Sequence, residues 1–350
     1  MSARVRISDV AAAAGVSTAT VSLVLNRRDA RIPPETQERV RRAAERIGYT
    51  PNSLARGLRT SRTRTIGLVS DQIATTPFAG RMIAGVQDVA REHGYLVILV
   101  DTGGEAEIER QALQALEDHQ VDGMIYATMW HRLIPTSATL PPRTVFLDCR
   151  PESDGHAAVV PDEREGGAAA TRELLAAGHR RIAYVDAHQP DHPLAADLRL
   201  EGHLDVLREA GIDPDPALHA YGEISARGGR SATEQLLSLP ADRRPTALFC
   251  FNDRMAAGAY VAAHHLGLEI PRDLSIVGYD DQQFVAAELD PPLTTLALPH
   301  YEMGRWAGEV VLDVREPTPG SVHRMECPIV RRGSVGPPPA DVSNFGRRRA

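Results

Sequence analysis

Ser17, Thr18, Ala19, Ser22 and Asn26 place small or polar side chains at helical spacing near the N-terminus. The chemistry open to such a surface is contact with base edges, because slim side chains let a helix settle into a major groove about 12 Å wide. A second set of residues stands at the ends of apolar, strand-forming runs. Asp71, Asp101, Asp148 and Asp186 each succeed or close such a run, as do Asn252 with Asp253 and Asp280 with Asp281. Carboxylates and amides gathered at one sheet edge can hydrogen-bond the hydroxyls of a sugar-like ligand. For any one of them a helix cap or Asx-turn is the plainer use. The gathering of several is what points to a ligand.

The elements that hold the first set are legible locally. Ser8 precedes the apolar run 10–14 and is expected to cap a helix that Gly15 ends. Ser17 caps the next helix, 18–26, in which Val21, Val24 and Leu25 face inward. Two short helices joined by a tight glycine turn make a helix-turn-helix. A third helix begins at Pro34, buries Val40, Ala43, Ala44 and Ile47, and stops at Gly48. Residues 49–59 read as one or two helical turns, too short to be stable alone. They form either a flexible tether or a hinge helix that wedges Leu58 into a minor groove.

Charge divides the chain in the same place. Residues 1–64 carry 13 arginines and no lysine against 5 acidic residues, a net +8; the whole chain is −7, which leaves −15 for the rest. A basic head on an acidic body suggests that only the head meets a polyanion, although an arginine-rich solvated surface would give the same count. A length of 350 residues implies two or three domains. No apolar run approaches the roughly 18–20 residues that cross a membrane, and no apolar signal core opens the chain, so the cytoplasm is the expected compartment. Cys149, Cys250 and Cys327 have no metal-ligand or disulfide spacing and are expected to be buried small hydrophobes. His264 and His265 show no metal pattern, and Gly166-Gly167 and Gly228-Gly229 match no phosphate loop. No nucleophile–base pair stands in a strand–turn–helix context. Neither cofactor, metal nor catalytic activity is expected.

Beyond residue 65 apolar strands alternate with helices. Strands are expected over 66–70, 96–101, 123–127, 145–148, 158–161, 182–186, 248–252 and 275–279. Helices are expected over 79–93, 105–119, 163–177, 194–210, 229–239, 254–266 and 299–315. Near-continuous apolar strands between helices mean parallel sheets covered on both faces, and so many of them suggest two doubly wound subdomains. Ligands of such sheets sit beyond the carboxyl ends of the strands. The expected organisation is a head over 1–49, a hinge and linker over 50–64, and a body over 65–332. Within the body the first subdomain takes 65–161 and 292–325, and the second 162–291 and 326–332. The tail 333–350, with Pro337-Pro338-Pro339 and Arg347 to Arg349, is expected to be disordered. It has no leucine heptad to drive a tetramer.

Four head segments now carry a resemblance. Ile7-Ser8-Asp9-Val10-Ala11-Ala12-Ala13-Ala14-Gly15-Val16-Ser17, Thr20-Val21-Ser22-Leu23-Val24-Leu25-Asn26, Gly48-Tyr49-x-Pro51-Asn52 and Leu54-Ala55-Arg56-Gly57-Leu58 resemble the head of the lactose-repressor (LacI/GalR) family. In the body, Arg199 with Gly202, the segments 251–258 and 275–281, and Pro291-Pro292-Leu293-Thr294-Thr295-Leu296 are similar to the family pattern, the last being expected to return the chain to the first subdomain. The resemblance spans residues 5 to 332. It implies an all-α helix-turn-helix head on an α/β body of periplasmic-binding-protein type. It implies that Thr18 and Ala19 approach base edges, helped by Ser17, Thr20, Ser22 and Asn26, with Ser8, Arg31 and Asn52 as further DNA contacts. Ala55 and Leu58 would enter the minor groove at the centre of a palindromic operator bound by a homodimer. Effector contacts would come from Asp148, Arg199, Asn252 and Asp280, and further ones from Asp71, Phe78, Arg81 and His300. Phe78 suits stacking on a sugar face or plain packing.

Two positions depart from the lactose repressor itself. Leu23 stands where an arginine can read guanine, and Leu cannot make that bidentate contact. Ile224 stands where an aromatic is found, which argues against a lactose-like ligand. The function so implied is a transcriptional repressor whose operator affinity is set by a small sugar-like effector. A sugar-binding transport protein and a sugar- or nucleotide-processing enzyme are the readings from other classes.

Overall fold

The computed structural model describes residues 5–25, 31–49, 62–76, 79–135, 140–141, 143–152, 155–188, 193–318 and 320–340. These belong to two units, Met1–Thr63 and Arg64–Ala350. The first holds α1 (Ile7–Ala14), α2 (Thr18–Leu25) and α3 (Pro34–Arg46). Val10, Val21, Val24 and Val40 meet in its core, with Ala11, Ala14, Ala43 and Ala44 letting the helices approach closely. Gly15 turns the chain with φ 63°, the left-handed conformation that costs glycine little. Ser17 caps α2 as expected, its Oγ accepting the Thr20 N–H at 3.1 Å.

Ser8 does not cap α1. Ile7 packs against the head core and is drawn into the helix, so α1 starts one residue before Ser8. Asp9 does the capping instead, accepting the Arg6 backbone N–H on Oδ2 at 2.8 Å.

The second unit runs β1 (Thr65–Ser70), α4 (Gly80–Glu92), β2 (Leu96–Asp101), α5 (Ala106–Asp118), β3 (Gly123–Ala127), β4 (Leu133–Ile134), β5 (Thr144–Leu147), β6 (Arg150–Pro151) and β7 (Ala157–Pro161). It continues with α6 (Glu163–Ala176), β8 (Ile182–Ala187), α7 (Leu194–Glu209), β9 (His219–Gly222), α8 (Ala226–Leu237), β10 (Ala247–Cys250), α9 (Asp253–His265) and β11 (Ser275–Asp280). Last come β12 (Thr294–Ala297), α10 (His300–Val311), β13 (Val322–Met325) and β14 (Ile329–Val330). One sheet has the order β13-β7-β5-β3-β1-β2, the other β14-β12-β11-β10-β8-β9. Pairing is parallel in both, except that β14 runs antiparallel to β12. Central strands such as β3, β5, β8 and β11 are buried along their whole length, as apolar strands between two helical layers must be. The three cysteines are free and buried.

The segment 291–296 does not return the chain to the first sheet. Thr294 pairs with Val277 and Leu296 with Tyr279, so β12 belongs to the second sheet and the return comes with α10. Thr294 and Thr295 are β-branched and suit either sheet edge, and local pattern alone could not choose between them. Nor is the tail disordered from residue 333. Ser334 is fully buried; its Oγ donates to Ile276 O at 2.6 Å and accepts the Thr294 N–H at 2.8 Å. Gly336 N–H donates to Ser275 Oγ at 3.1 Å. The tail supplies backbone partners that the ends of β11 and β12 otherwise lack. Residues 341–350 lie outside the described set.

Glycines set how closely the helices pack. A Cβ on Gly202 would strike Arg164 O, and one on Gly167 would strike Arg199 O, so α6 and α7 touch backbone to backbone. Gly85 and Gly304 do the same for α4 and α10.

Candidate functional site

In the first sheet the strand order reverses around β1, and in the second around β8. Such reversals open a crevice beyond the carboxyl ends of the strands. The loop after β3 brings Thr128, Trp130, His131 and Arg132 to that edge; Asp148 succeeds β5, and Glu163 succeeds β7. From the second sheet come Arg199 on α7, Phe251 and Asn252 after β10, and Asp280 at the end of β11. Trp130 packs against the cores of both subdomains and its ring lies 5.9 Å from that of Phe251. Ala195 N–H donates to His131 O at 3.3 Å, another link between the two halves.

Arg199 is the centre of the cluster. It is 1% exposed. Its Nε and Nη2 donate to Glu163 at 2.7 and 3.0 Å, a two-point ion pair, and Nη1 donates to the Phe251 carbonyl at 2.6 Å. The guanidinium carbon sits 3.6 Å from the centroid of the Tyr279 ring and 4.6 Å from that of Phe251, so two aromatic faces hold the cation. Asp280 Oδ1 lies 3.7 Å from Nη2, beyond hydrogen-bond range.

Around this pair several buried polar atoms have no hydrogen-bond partner: Asp280 Oδ1, Asp148 Oδ1, Asn252 Nδ2 and both ring nitrogens of His131. Buried polar groups are ordinarily satisfied, so such a set makes this cluster the candidate site. Asp148 and Asp280 also hold positive φ, 57° and 103°, at their strand ends. Non-glycine residues in that region concentrate at functional sites. Burial pushes the Asp148 carboxyl well above the usual range, and the neighbouring Glu163 charge adds to it. Burial raises Asp280 to about 7, against the pull of Arg199. His131 falls to about 4 because burial disfavours its cation.

The sequence-expected residues are thus partly gathered. Asp148, Arg199, Asn252 and Asp280 converge. Asn252 has a second task, its Oδ1 accepting the Met255 N–H at 3.0 Å to cap α9. Asp71 is engaged by its own subdomain: Oδ1 accepts Met129 N–H at 3.0 Å and Oδ2 pairs with Arg132 at 3.1 Å. His300 is buried at the start of α10, and Arg81 is exposed on the first turn of α4. Ile224 packs into the core of the second subdomain. Phe78 lies outside the described residues. Sequence reasoning missed Trp130, His131 and Glu163. The signal is in the sequence: they lie just past β3 and β7 of the first sheet, at the edge where a parallel sheet presents its loop residues.

The buried acids make stability depend on pH. Asp148, Asp253 and Asp280 all have carboxyl groups raised by burial. Between the unfolded and folded values the native state holds protons that the unfolded chain has released, so stability falls as pH rises. For Asp280 that window runs from 3.8 to about 7. The ligand-free thermal midpoint is expected to fall between about pH 5.5 and about pH 7.5, and Asp280→Asn to flatten the slope. A midpoint that climbs over this range in scanning calorimetry would contradict the burial of these acids.

In the head, Ser17, Thr18 and Ala19 are exposed at the start of α2, and Leu23 is 44% exposed. Ser22 is half-buried, Thr20 shares a 2.9 Å hydroxyl–hydroxyl bond with Ser17, and Ser8 and Arg31 are exposed. Val21 and Val24 face the core. Asn26, Asn52, Ala55 and Leu58 lie outside the described residues. No single described helix is long and apolar enough to cross a membrane.

Residues 6–52 match the family described as bacterial regulatory proteins, lacI family, and residues 171–335 match the periplasmic binding protein-like domain. The chain is 35% identical over 336 residues to the HTH-type transcriptional repressor CytR of Escherichia coli (strain K12), covering 94% of this chain and 96% of that one. The solved lac repressor dimer bound to operator and the anti-inducer ONPF is 26% identical, with a TM-score of 0.79, covering 95% of this chain and 100% of that one. The transcriptional regulator CelR in complex with cellobiose is 29% identical, with a TM-score of 0.66 and the same coverage.

Proposed function

Because the chain belongs to the lacI family of bacterial regulatory proteins, we propose that it is a cytoplasmic, homodimeric transcriptional repressor whose hold on operator DNA is set by a small sugar-like ligand in the body cleft. A relative matched over nearly its whole length is a repressor, which removes the transport-protein and enzyme readings. The observation that carries the ligand half is the set of buried, unpartnered groups of Asp148, Asn252 and Asp280 around Arg199.

The head supplies the DNA half. The exposed start of α2, with Ser17, Thr18 and Ala19, enters the major groove while α1 crosses the backbone. Leu23 on the same helix suits a thymine methyl rather than a guanine edge. Two heads on a dimer read half-sites about 34–36 Å apart, or multiples of that. Residues 50–59, including Ala55 and Leu58, are proposed to form the hinge at the operator centre.

Selection from a random DNA pool with the full chain is expected to enrich a palindrome. Thr18→Ala should weaken that palindrome by about 1–2 kcal/mol and leave unrelated DNA unchanged, since base contacts specify and phosphate contacts do not. Arg31→Ala should weaken all DNA alike and lower the salt slope by about one. Enrichment of no palindrome, or an equal loss on both DNAs for Thr18→Ala, would overturn the assignment of α2.

A further inference from the structure

We infer that the ligand of the body cleft is a protonated amine that also carries hydroxyls, an amino sugar or a similar amine-bearing polyol. The inference rests on the cleft reading above and specifies its chemistry.

The first ground is charge. Asp148, Glu163 and Asp280 are buried around one buried cation, Arg199, a balance of −3 + 1 = −2 if all three ionise, so without a further cation the ligand-free pocket keeps protons among them. Arg132 is taken by Asp71. Arg254 lies near Asp280 on α9, and counting it still leaves one carboxylate unmatched. Asp253 adds a further buried acid, though its oxygens are bound by Thr295 Oγ1 and Gln282 N–H at 2.6 Å each. Buried carboxylates without counter-charge are costly, and either a proton or a cation must offset them.

The second ground is the direction of the free hydrogen bonds. Arg199 directs three of its donors to Glu163 and the Phe251 carbonyl. An incoming phosphate or carboxylate would find that guanidinium already engaged and would meet two open acceptors of its own sign, Asp148 Oδ1 and Asp280 Oδ1. An ammonium offers three donors and a positive charge to those acceptors. Asn252 Nδ2, Arg254 Nε and Arg132 Nε are open donors, so the ligand needs acceptors as well, which its hydroxyls supply.

The third ground excludes the simplest cation. Among the described residues no group of His, Cys, Asp or Glu side chains is arranged to hold a metal ion. Where a cation rather than a proton offsets these acids, it arrives on an organic molecule.

Matched sets test this on the full chain: the amine, neutral and 6-phosphate forms of glucose, galactose and mannose, by thermal shift and calorimetric titration. The expected result is that in at least one set the amine form binds ten-fold or more tightly than its neutral partner, while no phosphate form binds. Asp280→Asn should bring the amine-to-neutral ratio toward one, whereas a merely structural aspartate would weaken both alike. A neutral or phosphate form that binds as tightly as its amine partner would overturn the inference and leave the cleft reading standing. Silence from every set would overturn it too. Sugar binding that survives Asn252→Ala and Arg199→Met unchanged would instead sink the cleft reading itself.

Discussion

Arg199→Ala is expected to lower the unfolding free energy of the body by about 3–5 kcal/mol, because it leaves a buried charge without its partner. The stranded group is Glu163, 2% exposed and held by Arg199 through two hydrogen bonds. The aromatic slot between Tyr279 and Phe251 empties at the same time, and the Phe251 carbonyl loses its donor. Replacing both partners, Arg199→Met with Glu163→Leu, should recover much of the loss, since apolar isosteres of a buried ion pair are often neutral or better. Both variants should still fail to respond to ligand. Urea unfolding of the two proteins separates the effects. Near-wild-type stability of the single Arg199→Ala variant would mean the pair is not desolvated as described.

Gly202→Val has the next largest expected effect, a loss of at least about 3 kcal/mol or failure of the body to fold, as overpacking against backbone requires. A side chain at 202 meets the Arg164 carbonyl and the Ala168 N–H, neither of which can swing aside. The consequence reaches the site, because α6 carries Glu163 and α7 carries Arg199. Pushing the helices apart separates the ion pair that their contact creates. Gly80→Ala provides the contrast. Its Cβ would meet nothing within 4 Å and it lies at the start of α4, so it should be neutral or stabilise by up to about 1 kcal/mol. Equal tolerance at the two positions would show that the helix contact is not set by the glycine.

Much of the scaffold was readable because it is local. Period and glycine punctuation located α1 to α3, and uninterrupted apolar runs located the central parallel strands. Asp148, Asn252 and Asp280 were legible as polar residues at strand ends, because a parallel sheet delivers its ligand groups at one edge. The features that stayed hidden depend on contacts between residues distant along the chain. Residues 199, 251 and 279 form one cation–aromatic stack, and no local pattern joins them. Glu163 read as the first residue of a helix, and only the close crossing of α6 and α7 turns it into the partner of Arg199. Asp71 had the same local signature as Asp148, yet the loop after β3 takes it up. β12 and the buried Ser334 were misplaced for a related reason: which edge receives a short strand or tail is decided by the unpaired backbone waiting there.

The most direct test of a ligand-controlled repressor is reciprocal linkage measured on the full chain. Fluorescence anisotropy on a palindrome enriched from a random pool would give the DNA affinity with and without a ligand that binds the cleft. Titration of the same ligand into free and DNA-bound protein would give the converse. The account predicts that the ligand changes DNA affinity by about 5- to 150-fold, that DNA changes ligand affinity by the same factor, and that Arg199→Ala abolishes both. A ligand that binds the body tightly while leaving operator affinity unchanged would contradict it.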